Sequence, residues 1–251
     1  MSTAFFRHLF ALRRLQKIIF GSAFVLFFLS QTSFAQLGKG NYNFLDYNGR
    51  NVYFGITIGY NQSDYKVVKS KNFLPAYNDS IAGLAGVQGP GFNLAVVTNL
   101  RIGDYFDLRF LPGFSFSERD VSYTPVKANS TLPNQKIEPV FVELPFHIRY
   151  KSAPYHDKRL FVTGGIKYDF DITSKSRQRT ILNGLKIAPT DFQFELGAGV
   201  QMFFPYFIFS PEIKFSTGLG NILIYQNGLQ ESSVIEKLIS RTVTISLHFE
   251  G

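Results

Sequence analysis

The chain has 251 residues, with 26 Lys and Arg against 18 Asp and Glu, 28 Phe, 13 Tyr, 21 Gly, no Trp and no Cys. The lack of Cys excludes disulfides and thiolate metal sites. So much Phe, Tyr and Gly, without an apolar run of membrane-helix length beyond the first 35 residues, points away from a helical span and toward β-structure in lipid.

The first element is a leader. Arg7, Arg13, Arg14 and Lys17 precede the apolar run IIFGSAFVLFFL, Ile18 to Leu29, and Ser33 and Ala35 place a small-residue cleavage site after Ala35. This is the pattern of a secretory signal peptide over residues 1–35, removed on export. Its loss leaves 22 basic against 18 acidic side chains, a net charge of +4. So small an excess, on a chain sent to the cell envelope, makes no case for a nucleic-acid partner. Residues 36–50, QLGKGNYNFLDYNGR, are polar and lack a period. They read as a short periplasmic segment leading into a domain over residues 51–251.

Eight segments of that domain alternate apolar and polar residues with period two, as strands with two different faces do. The first sets Val52, Phe54, Ile56, Ile58 and Tyr60 against Tyr53, Gly55, Thr57 and Gly59. The second sets Phe92, Leu94, Val96 and Leu100 against Asn93, Ala95, Asn99 and Arg101. In the third, RIGDYFDLRFLPGFSF, the row Phe106, Leu108, Phe110, Phe114 and Phe116 faces away from Asp107, Arg109, Gly113 and Ser115. The fourth opposes Leu144, Phe146, Ile148 and Tyr150 to Glu143, His147 and Arg149. The fifth opposes Ile166, Tyr168 and Phe170 to Lys167 and Asp169, and the sixth Phe192, Phe194 and Leu196 to Gln193 and Glu195. The seventh opposes Phe209, Ile213 and Phe215 to Ser210, Glu212 and Lys214, and the last Val243, Ile245, Leu247 and Phe249 to Thr244, Ser246 and His248.

Short connections at Gly103-Asp104, at SAPYHDKR and around Pro205 alternate with long ones near 61–90, 118–138, 172–190 and 218–240. Short turns at one end and long loops at the other are the layout of an outer-membrane barrel, with the turns and both termini periplasmic. A lipocalin-like barrel also has eight alternating strands, but its apolar face points inward. Here one face of nearly every strand carries charge, often of both signs. The expected fold is therefore all-β: an eight-stranded antiparallel transmembrane outer-membrane β-barrel. Its lumen holds a charge network of Arg101, Asp107, Arg109, Glu143, His147, Arg149, Lys167, Asp169, Glu195, Glu212 and Lys214. Asp107 with Arg109, Glu143 with Arg149, Lys167 with Asp169 and Glu212 with Lys214 are the expected neutralising pairs. Phe106, Leu108, Phe110, Phe114 and Phe116 face lipid.

No catalytic, cofactor-binding or metal-binding set stands out. Beyond the leader the chain has only His147, His156 and His248, with no helical i, i+4 spacing and no Cys beside them. His147 and His248 lie on polar strand faces, where a hydrogen-bonded charge network accounts for them as well as a site would. GLGN at Gly218 lacks the Lys and the strand-to-helix setting of a phosphate loop. Basic loop residues Lys66, Lys69, Lys71, Lys175, Arg177 and Arg179 would meet solvent, acidic polysaccharide or a protein.

Three blocks carry a family resemblance: PGFNLAVVTNLRIGDYFDLRFLPGFSFSERDVSY (Pro90 to Tyr123), VELPFHIRYKS (Val142 to Ser152), and the stretch from PTDFQFELGAGV to STGLGNIL (Pro189 to Leu223). Together with YFGITIGYNQSDYKV they resemble the PorT-like outer-membrane β-barrel family of the Bacteroidetes, most specifically at Arg101, Arg109, Pro112, Glu143, Pro145, Glu195, Pro211, Glu212 and Gly218. The resemblance implies a non-enzymatic part in type IX protein secretion and gliding motility. Its implied partners are other components of that system in the outer membrane or periplasm, besides the lipid bilayer. No small-molecule substrate or cofactor is implied. A stand-alone structural or adhesive barrel, and a barrel enzyme with a site at the outer rim, are the alternatives.

Overall fold

The computed structural model describes residues 42–70, 81–125, 135–137, 140–172, 186–224 and 234–251. The leader, and the loop residues Lys71, Lys175, Arg177 and Arg179, lie outside them.

Among the described residues one helix, α1 (Tyr42–Asn48), precedes β1 (Val52–Lys69), β2 (Ile81–Arg101), β3 (Phe106–Phe110), β4 (Gly113–Pro125), β5 (Gln135–Ile137), β6 (Val140–Lys151), β7 (Lys158–Asp171), β8 (Lys186–Ile187), β9 (Thr190–Phe203), β10 (Ile208–Gly218), β11 (Leu223–Ile224) and β12 (Ile235–Glu250). Strands β3 and β4 form one stave. The ladder breaks at Leu111-Pro112 because proline has no N–H to donate, yet Val96 N–H still donates to Pro112 O and Leu111 N–H to Pro145 O. With that stave counted once, eight antiparallel staves follow one another around a ring. β12 returns to β1 in a register running from Gly55↔Glu250 to Lys69↔Ile235. The ring has no open edge, so the backbone groups of its staves are paired between neighbours, the condition for crossing hydrocarbon with strands. Two short pairings lie outside the ring: β5 on the outer part of β4, and β8 with β11.

The barrel is inside out relative to a soluble one. Ile56, Ile58, Phe92, Leu94, Phe146, Ile148, Phe194, Ile213 and Ile245 point outward and are exposed, while Asp107, Arg109, Arg149, Asp169, Gln193 and Glu250 are buried. Strands run further than the alternation indicated: β1 continues to Lys69, β2 begins at Ile81 and β12 begins at Ile235. In β1 both faces turn polar there, with Asn61 and Ser63 inward and Gln62 and Lys66 outward. The hydrophobic signal fades although the ladder continues.

All three short turns lie at one end, the turn end, beside α1 and Gly251. The long connections lie at the other, the loop end. At the first turn Gly103 takes a φ of 134° that side chains rarely adopt. At another, His156 and Asp157 have φ of 47° and 55°, closing a two-residue hairpin between Tyr155 and Lys158. Such a turn matches the strand twist, and Asp and His are among the residues that tolerate it.

Candidate functional site

A barrel of eight strands leaves an interior just wide enough for side chains to fill, and here the fill is ionic. Seven basic and six acidic side chains are buried among the described residues, with two histidines; Glu143, slightly more exposed, adds a seventh acid. Charges taken out of water at such density persist only when paired and hydrogen-bonded.

The pairs differ from those expected. Asp107 accepts from Lys151 Nζ at 2.5 Å and from the Tyr53 hydroxyl at 3.3 Å, while Arg109 donates to Glu250 Oε1 at 2.5 Å. Glu143 binds Lys167 at 2.9 Å rather than Arg149, and Glu212 binds His248 at 2.7 Å and Thr163 rather than Lys214. Lys167 does reach Asp169, at 3.4 Å, and also Glu195 at 3.5 Å. The reason is geometric. Residues i and i+2 on one strand stand about 7 Å apart, whereas the neighbouring and opposite walls of so narrow a barrel come closer.

Arg101 is corrected more fully. It shares the inward face but sits at the rim, donating to Asn48 O, Asn48 Oδ1, Gly103 O and Asp104. It ties α1 to the first turn instead of joining the central network. On the outer face Phe106, Leu108, Phe114 and Phe116 are exposed; Phe110 is half-buried because its ring stacks on Phe146 with centroids 4.4 Å apart. His147 meets Glu195 at 2.6 Å, and Lys214 is buried.

Several members of the network were not among the expected residues. Glu250 and Lys151 are found simply by carrying the alternation one step past Phe249 and Tyr150. Arg159 precedes Leu160 in the same way. Arg119 lies where both faces of β4 are polar, so periodicity could not place it. Three buried guanidinium groups of the network lie over rings: Arg149 is 3.9 Å from the Phe161 centroid, Arg159 5.1 Å from Phe44, and Arg119 5.1 Å from Phe141 and 5.4 Å from Tyr65. Phe161 lies across Gly199, where an added Cβ would stand 2.5 Å from the ring.

Both ends of the charged interior carry an apolar layer. At the turn end, α1 inserts Phe44 against Phe203, edge to face at 5.1 Å, and against Ile208. Asp157 accepts from the Phe44 N–H at 2.9 Å, satisfying a first-turn donor that a helix cannot pair itself, and the Asn43 side-chain amide donates to Phe203 O. The sequence signal for α1 was weak, since seven residues cannot hold a helix without such tertiary support. At the loop end, Tyr65, Leu84, Ile222, Val234, Ile235 and Leu238 form a buried apolar cluster, with Ile187 and Leu223 packed on it.

One arrangement has the order of a nucleophilic triad. The Thr57 hydroxyl is 2.6 Å from His248 Nδ1, and His248 Nε2 is 2.7 Å from Glu212. A hydroxyl made nucleophilic by an imidazole needs a substrate within reach; all three residues are buried in the filled interior. The arrangement does what Lys167 and its acids do, satisfying polar groups inside the wall.

Residues 34–223 match the family model described as an outer membrane protein beta-barrel domain. No curated protein sequence matches. Among solved structures the chain is similar to Neisserial surface protein A at 11% identity, covering 78% of this chain and 96% of that one with a TM-score of 0.41. It is similar to Ail, the attachment invasion locus protein of Yersinia pestis, at 13% identity, covering 80% and 100% with a TM-score of 0.36. It is similar also to the outer membrane protein OprG from Pseudomonas aeruginosa, at 10% identity, covering 80% and 94% with a TM-score of 0.43.

Proposed function

We propose, from the premise that this chain belongs to the outer membrane protein beta-barrel domain family, that it is a non-enzymatic component of the type IX protein secretion machinery. In this reading it is needed to export proteins bearing a C-terminal secretion signal, and in gliding cells to display adhesins. It resides in the outer membrane, and it acts through contacts with other secretion components there or in the periplasm, with no small-molecule substrate or cofactor. The observation that carries the reading is the resemblance of Pro90–Tyr123, Val142–Ser152 and Pro189–Leu223 to PorT-like barrels. A lumen filled by side chains supports a role through contacts, because it leaves no conduit for a polypeptide. With short turns toward the periplasm, as in outer-membrane barrels generally, α1 presents exposed Tyr42 and Leu45 at the periplasmic mouth.

The test is deletion of the gene. Proteins with the C-terminal signal are expected to accumulate in the periplasm and to disappear from the surface and medium. Normal export would contradict the secretion role and leave a stand-alone structural or adhesive barrel as the reading.

A further inference from the structure

Charge is distributed unevenly along the lumen. Around Lys167 three acids stand within 4 Å: Glu143, Asp169 and Glu195. Nearer the turn end the ratio reverses. Arg109 and Arg149 share one carboxylate, that of Glu250, with Arg109 at 2.5 Å and Arg149 at 3.8 Å. The nearby acids are engaged elsewhere: Asp107 with Lys151, Glu212 with His248, Glu195 with His147.

The hydrogen-bond inventory shows the same imbalance. Arg149 is fully buried, yet Nε, Nη1 and Nη2 all lack a hydrogen-bonded protein acceptor, as do Arg109 Nε and Nη1; against these five donors stands one unpartnered carboxylate oxygen, Glu250 Oε2, 3.8 Å from Arg149 Nη1. Asn99, beside Arg109 in register and also fully buried, has an unpartnered Nδ2 and Oδ1. The Phe161 ring covers one face of the Arg149 guanidinium but accepts no directed hydrogen bond in its plane. Buried donors without acceptors are rare in native proteins, and an uncompensated buried charge costs several kcal/mol.

From this geometry we propose that the turn-end half of the lumen binds a small monovalent anion of the halide class between Arg109 and Arg149. The anion accepts from Arg149, from the free guanidinium nitrogens of Arg109 and from Asn99 Nδ2, and it neutralises the second guanidinium that Glu250 leaves uncompensated. Water can accept the same hydrogen bonds but cannot supply the charge. With α1 covering the turn end and the apolar cluster covering the loop end, the ion enters as the barrel folds. It is a structural ligand, separate from any contact the protein makes in secretion.

The full chain would be refolded into detergent micelles in bromide and crystallised, and anomalous scattering measured at the bromine edge. Its unfolding midpoint would be followed in bromide or chloride, and in methanesulfonate at equal ionic strength. A bromide peak between Arg109 and Arg149, with a midpoint that rises with halide concentration, is the expected result. In Arg149→Met the midpoint is expected to lose its halide dependence. Should that variant fail to fold, the wild-type peak and midpoints decide alone. No peak there and a midpoint indifferent to halide would overturn the site in favour of water. A peak with an indifferent midpoint would mean an adventitious ion only, and would overturn it too.

Discussion

Glu250 and Glu143 are both acids of the lumen, yet they should differ sharply on replacement. Glu250 is fully buried and is the one carboxylate within 4 Å of Arg109 and Arg149 among the described residues. Glu250→Gln therefore strands a buried cation and is expected to cost about 3–5 kcal/mol. Glu143→Leu removes the shortest contact of Lys167 but leaves Asp169 and Glu195 in place. Its expected cost is about 1–2 kcal/mol. Urea unfolding of the micelle-refolded proteins measures both, and equal midpoints would mean that the lumen charges are screened by water rather than by one another. At the turn, Asp157 holds a left-handed backbone while its carboxylate binds the Phe44 N–H. Asp157→Gly relaxes the backbone but releases the helix. Hydrogen exchange across residues 42–48 should rise while the strands stay protected; unchanged exchange would show that Phe44 packing alone secures α1.

At the scale of elements, each stave is read by lipid on one side and by the charge network on the other. Phe146, mid-strand on β6 and exposed, is the outward position to challenge. Phe146→Arg is expected to cost about 2–4 kcal/mol and to lower the yield of folded barrel in outer membranes. A normal yield would mean that β6 does not face hydrocarbon there. Most of this was legible in the sequence. Phe106, Leu108, Phe114 and Phe116 against Asp107 and Arg109 announce the two faces without any structure, and the short turns at Gly103 and Pro205 order the staves. What was hidden has physical causes. Periodicity assigns a residue to a face but not to a partner, so the alternation sets Asp107 beside Arg109 although Lys151 lies closer across the wall. From Asn61 to Asp64 both faces of β1 are polar, so the alternation is interrupted before the apolar residues resume at Tyr65 and Val67. Helix α1 depends on Phe203, Ile208 and Asp157, more than a hundred residues away in the chain, and no local pattern contains them.

The molecule as a whole is a closed ring with a nearly neutral ionic interior between two apolar layers. Phe44, Phe203 and Ile208 form one layer, and Tyr65, Leu84, Ile222 and Leu238 belong to the other. Among the described residues an apolar layer lies at each end of the charged interior. In the proposed secretion role such a barrel acts as a membrane-embedded part with two presenting ends rather than as a channel. The most direct test is electrical: the refolded full-length protein inserted into a planar lipid bilayer and its conductance recorded across a range of voltage and salt. A sealed barrel shows insertion without discrete channel openings. Stepwise, ion-selective openings would contradict it, and would make the lumen, not the rims, the working surface of the protein.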